Sequence, residues 1–193
     1  MKRSRTEPPA HNGVHGVRGI PLPGIDPQTA RVLRQFRQIF SAVRAHFQNV
    51  ERAAGIGGAQ VWALGIIRDR PGIGVKELSL AMDVHQSTAS NLVKALAEQG
   101  LVAVTRGQSD RRTVRLDLLA AGRAILRKSP GPYSGVLLGA LLALDGRALS
   151  RLEKDLARLI ESLGADGRAA GIPLAQILVK AAPAPAAKRS MSQ

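Results

Sequence analysis

The stretch VKELSLAMDVHQSTASNLVKALAEQGLVAVTRGQSDRRTVRLDL, residues 75–118, changes its apolar period midway, and that change decides the fold. Before Gly100 the apolar residues recur at helical spacing. A short helix is predicted over residues 75–82, with Leu78, Ala81 and Met82 apolar. A second runs from about His85 to Gln99, its inward face formed by Ala89, Leu92, Val93 and Leu96 at i, i+3, i+4 and i+7. Gly100 is a good terminator for it. The opposite face carries Gln86, Ser87, Thr88, Ser90, Asn91 and Lys94. From Leu101 the period is two. Residues 101–105 and 113–118 read as paired strands joined by a polar, basic loop. Two short helices, the second presenting small polar groups, followed by strand, basic loop and strand, make a winged helix-turn-helix.

Outward from this core, Asp26-Pro27 opens a long helix, with Asp as cap and Pro at the first helical position. Val32, Leu33, Phe36, Ile39, Phe40, Val43 and Phe47 follow at 3.6-residue spacing until residues 55–58 (Gly-Ile-Gly-Gly) stop it. Another helix covers residues 59–69 and carries Trp62, read as a core residue. Helix resumes near Ala120 and breaks at Pro130-Gly131-Pro132. A last helix is capped by Asp145, with Ser150 and Glu153 as a competing capping box. Leu149, Leu152, Leu156, Leu159 and Leu163 give it a 3-4 leucine seam, which points to dimerisation. The fold class expected is mainly α with a small β-wing: a winged helix-turn-helix DNA-binding domain plus N- and C-terminal dimerisation helices. Residues 1–25 read as a disordered basic arm. Residues 26–164 form the domain, with a DNA-binding core about 59–119 and dimerisation helices about 27–54 and 145–163. Residues 165–193 read as a partly disordered C-terminal extension, with a short helix expected in IPLAQILVK.

The 193 residues include 28 Lys+Arg against 14 Asp+Glu, a formal charge of +14, which calls for a polyanionic partner. Hydrophobic residues are 45% of the chain and aromatics only 3%. With no cysteine, a disulfide framework, a Cys-ligated zinc site, an iron–sulfur cluster and a thiol redox sensor are excluded. The histidines, His11, His15, His46 and His85, are not clustered as metal ligands. No phosphate-binding loop, nucleophile elbow or paired-carboxylate signature suggests an enzyme. Neither a cofactor nor a metal is expected. The longest strongly apolar run, residues 136–144, is about half of the ~18 residues a spanning helix needs. The N-terminus lacks a signal peptide's apolar stretch, so the cytoplasm, and there the nucleoid, is the expected location.

The stretch GAQVWALGIIRDRPGIGVKELSLAMDVHQSTASNLVKALAEQGLV, followed by TRGQSDRRTVRLDLLAAGRAIL, resembles the MarR family of bacterial transcription regulators. The likeness runs over roughly residues 27 to 163, and its most specific motif is Asp110-Arg111-Arg112 followed by the second strand and Gly122. The resemblance implies a homodimer with interlocked terminal helices, a recognition helix in the major groove and a wing in the minor groove. It also implies repression, released by a small, often aromatic, anion. The chain departs from the family at Leu119 and His85, where capping Thr and Ser are usual, and at the Pro130-Gly131-Pro132 break.

Seven basic residues stand against two acids between Arg106 and Lys128, where a solvated face would mix signs. Neutralising phosphates with such charges releases condensed counterions. Arg106, Arg111 and Arg112 are the expected wing contacts, with Asp110 holding an arginine in place. On the recognition helix, Gln86 or Asn91 is suited to adenine, Ser87, Thr88 and Ser90 to phosphates or base edges, and Lys94 to a phosphate or guanine. A ligand pocket is expected near Phe40, Arg44, Phe47 and Trp62. The function expected is a sequence-specific repressor acting on double-stranded DNA as a homodimer. The alternatives are a non-specific architectural DNA-binding protein and a scaffold whose winged helix no longer reads DNA; the polar face and the intact wing argue against the scaffold.

Overall fold

Residues 24–106 and 114–179 are described by the computed structural model. They divide between two compact units, residues 1–36 and 37–193. In the first unit, Asp26 caps helix α1 (Pro27–Ala54) by accepting the amides of Gln28 and Thr29 at 2.9 and 3.0 Å. This is the cap the sequence predicts. Val32 and Leu33 are exposed there.

In the second unit, α1 buries Val43, Phe47 and Val50 and ends at Gly55, whose φ of +74° turns the chain out of the helix. Helix α2 (Gly58–Asp69) turns most of its residues into the core, with Val61, Ala63, Leu64 and Ile67 fully buried. Its first turn is tied down from both sides: Gln60 Oε1 accepts the Gly57 amide and Glu51 Oε1 the Gly58 amide, each at 3.0 Å. Helix α3 (Val75–Ala81) has no side-chain cap, but Glu77 reaches back to the Gly74 amide at 2.9 Å. Asp83 makes the turn with φ +50°, a conformation that Asp and Asn tolerate better than most residues. Helix α4 (Gln86–Glu98) follows and buries Ala89, Leu92, Val93 and Leu96, the face predicted from spacing.

Strands β1 (Val102–Arg106) and β2 (Val114–Leu118) pair antiparallel, with Val102 opposite Leu118 and Arg106 opposite Val114. Ile73, just ahead of α3, forms a bridge with Leu116: the Leu116 amide donates to the Ile73 carbonyl at 3.1 Å and the Gly72 amide to the Leu116 carbonyl at 2.9 Å, so β2 is hydrogen-bonded to the start of the helical pair. The loop between the strands lies outside the described residues, and with it the expected wing residues Asp110, Arg111 and Arg112.

Helix α5 (Ala120–Lys128) packs on the strands through Gly122, and the break at residues 130–132 separates it from α6 (Val136–Leu142). Tyr133 fills this break. Its ring lies across Gly65, and its hydroxyl donates to the Leu126 carbonyl at 3.0 Å. Helix α7 (Gly146–Leu163) is capped by Asp145, which accepts from Arg147 and Ala148; the Ser150–Glu153 box does not form. No residue of α7 is buried, although one of its faces is strongly apolar. Gly164, φ +59°, ends it. The extension beyond it is folded over residues 165–179: a 3-10 turn (Gly167–Gly171) and helix α8 (Leu174–Leu178), with Gly171, Pro173 and Ala175 buried. Among the described residues no helix is long and apolar enough to cross a membrane.

Candidate nucleic-acid interface

Burial of Ala89, Leu92, Val93 and Leu96 turns the other side of α4 outward. Positions 86, 90 and 94 lie on one ridge and 87 and 91 on the next, since a turn takes 3.6 residues. Gln86, Ser87, Ser90, Asn91 and Lys94 are all exposed along this face. Among the described residues the side-chain amides of Gln86 and Asn91 have no hydrogen-bond partner. The Ser90 hydroxyl donates to the Gln86 carbonyl at 2.8 Å, leaving its oxygen to accept. Lys94 is 4.0 Å from Glu98 in an exposed pair, too weak to hold the ammonium against a phosphate.

Thr88 differs from its neighbours. It is half-buried, and its hydroxyl donates to the Gly171 carbonyl at 3.4 Å. The same carbonyl accepts the His85 amide at 3.1 Å. No side chain caps α4, as the departure at His85 foreshadowed. These contacts had no signal in the sequence, because Gly171 is 83 residues from Thr88 and sits in a segment without clear periodicity.

Arg106 ends β1 opposite Val114, where the wing leaves the sheet. Arg115 on β2 and Arg123, Arg127 and Lys128 on α5 are exposed. Two acids elsewhere are paired with arginines. The hydrogen bond from Arg68 holds the Asp69 carboxyl below its usual range, and that from Arg168 does the same for Asp166. Arg68 also stands 5.7 Å from the Tyr133 ring centroid.

A cavity of about 390 Å³ lies among α1, α2, the α3–α4 turn, α6 and residues 170–175. Phe47 and Trp62 line it; Phe40 and Arg44, expected with them, do not and are exposed on α1. Trp62 is thus both a core residue and a cavity wall. Among the described lining residues, Asp83 is the one with a formal charge. A second hollow, about 520 Å³ and lined by residues 70–73, 77, 80 and 81, borders none of the expected DNA contacts. Among the described residues no group of three or more His, Asp or Glu is placed to hold a metal ion.

Residues 54–113 match the family model described as MarR family. The organic hydroperoxide resistance transcriptional regulator of Bacillus subtilis (strain 168) is 28% identical over 104 residues, 54% of this chain and 69% of that protein. Among solved structures, a MepR-like protein complexed with pseudoligands is 20% identical, with a TM-score of 0.49, covering 72% of this chain and 94% of its own. A MarR family protein from Bacillus stearothermophilus is 23% identical, with a TM-score of 0.44, covering 73% and 99%. Helix-turn-helix, wing strands and family match coincide on the same residues: the segment 54–113 is similar to the MarR family, and it carries a winged helix-turn-helix arrangement.

Proposed function

We propose that the chain is a homodimeric, sequence-specific regulator that represses transcription at the nucleoid and releases DNA when a small aromatic molecule binds. The observation that carries this reading is the outward face of α4. Five exposed polar residues lie on two adjacent ridges, two of them carboxamides without an internal partner among the described residues. A carboxamide can both donate and accept toward the N6 and N7 edge of adenine, which makes Gln86 and Asn91 the base readers. Ser87, Ser90 and Lys94 take phosphates or neighbouring edges, and Arg106, Arg111 and Arg112 take phosphates or the minor groove.

Dimerisation is supported by α7, whose Leu149, Leu159, Ile160 and Leu163 are exposed in the single chain. Residues 26–164 then act as one domain, with a reading core about 59–119. The cavity suits the effector. Its lining favours a neutral, flat molecule over an anion, because its one charged neighbour among the described residues is a carboxylate and Arg44 lies elsewhere. This sequence has no cysteine, so a reactive thiol is not its means of sensing.

The test is a titration of the full chain against its own upstream DNA, with and without excess random duplex. A specific reader keeps its complex in the presence of the competitor. Complete loss to the competitor would instead make the chain an architectural DNA coat.

A further inference from the structure

We propose that residues 165–179 form an internal latch: the Gly171 carbonyl sets the position of the reading helix, and filling the cavity that the latch walls releases it. This rests on the reading role of α4 proposed above. Three observations meet at one residue. First, the Gly171 carbonyl accepts both the His85 amide at 3.1 Å and the Thr88 hydroxyl at 3.4 Å, gripping the start of a helix that no side chain caps. Second, the approach is close to the His85 side chain as it is placed. A Cβ at position 171 would collide with the His85 ring. Third, Ala170, Ile172, Pro173, Leu174 and Ala175, on both sides of that carbonyl, line the cavity together with Asp83 and Val84 of the α3–α4 turn.

The latch grips without covering. Gln86, Ser87, Ser90, Asn91 and Lys94 remain exposed, so its effect on DNA is to orient the reading face rather than to block it. Its far end is anchored. Ala175 is buried, and its methyl lies 3.2 Å from where a Cβ on Gly58 would stand, at the first turn of α2. An occupant of the cavity presses on residues 170 and 172, one peptide away from Gly171 on either side. The Thr88 bond is already near the geometric limit, so a displacement of about 0.5 Å is enough to break it.

The test uses the full chain. His85→Pro removes the amide donor, and the φ of −61° at this position fits the proline ring; His85→Ala keeps the amide and serves as the control. Amide hydrogen exchange is the first readout and needs no DNA. In His85→Pro, and in Thr88→Val to a smaller extent, residues 172–179 lose protection, whereas His85→Ala keeps it. Gly171→Ala also loses protection, and Gly171→Ala/His85→Ala regains it because the obstructing ring is gone. Preference for upstream over random DNA follows the same order, falling about three- to tenfold in His85→Pro, the range for removing one hydrogen bond. Unchanged exchange in both His85→Pro and Thr88→Val, or no recovery in the double variant, overturns the latch. Altered exchange with no DNA preference even in the unmodified chain would leave the latch standing and sink the reading role instead. For release, the probe is indole, flat and neutral with one N–H for Asp83. Titrated to its solubility limit, it should raise exchange at residues 85–88 and 170–179 together; unchanged exchange overturns the coupling to the cavity.

Discussion

Gly122 occupies a position where no other residue fits without movement. A Cβ there would stand 2.5 Å from the Leu101 carbonyl oxygen and 2.7 Å from Leu118 Cδ1, and the first of these is backbone. Gly122→Ala should therefore destabilise the fold by about 1–3 kcal/mol, the usual cost of overpacking, measured by urea unfolding. Gly139 in α6 has nothing within 4 Å, and Gly139→Ala should gain about 0.5–1 kcal/mol from reduced chain entropy. Asn91 tests the proposed recognition instead. It is exposed, and its amide has no internal partner among the described residues, so Asn91→Ala should leave the unfolding curve unchanged. Binding to upstream DNA should weaken by about 1–3 kcal/mol relative to random DNA, the worth of a bidentate pairing with a base. Equal losses on both DNAs would assign Asn91 to phosphate.

Among the elements, the proposed function gives the wing and α4 different parts of the duplex to engage. The strands are braced by the Ile73–Leu116 bridge and by α5, which fixes the sheet as far as Arg106 and Val114. Replacing Arg111 and Arg112 together by Ala should weaken binding to upstream and random DNA alike. The slope of log affinity against log salt should become shallower by roughly 0.9 for each phosphate no longer neutralised. The unfolding midpoint of the same variant, measured alongside, separates a loss of binding from a loss of folding. An unaltered slope would reduce the loop to a connector.

At the scale of the whole molecule, the proposed dimer is tested on α7. An 18-residue helix with a strongly apolar face and no buried residue is unusual in a finished structure. Ile160 is 52% exposed and Leu163 70% exposed, so charging them costs a single chain little. Ile160→Glu/Leu163→Glu should sediment as a monomer at micromolar concentration with its helical content retained. Its affinity for upstream DNA should fall as well, because two linked half-sites no longer act together. A wild-type chain that is itself monomeric at that concentration would refute the dimer.

The helix-turn-helix, the strands, the Asp26 and Asp145 caps and the exposed face of α4 could all be read from the sequence, because each depends on local spacing or on a side chain bonding within three residues. Periods of 3.6 and 2 survive folding unchanged when one face must be buried. Three features needed the tertiary structure. The cavity takes its walls from residues between 43 and 175, and packing rather than spacing left Arg44 out of it. Gly122 is required by the distance to Leu101, which no local pattern encodes. The hold of Gly171 on His85 and Thr88 is a backbone carbonyl meeting a helix start across 83 residues. A carbonyl is common to every residue, so the sequence carries no mark of which one the fold will use.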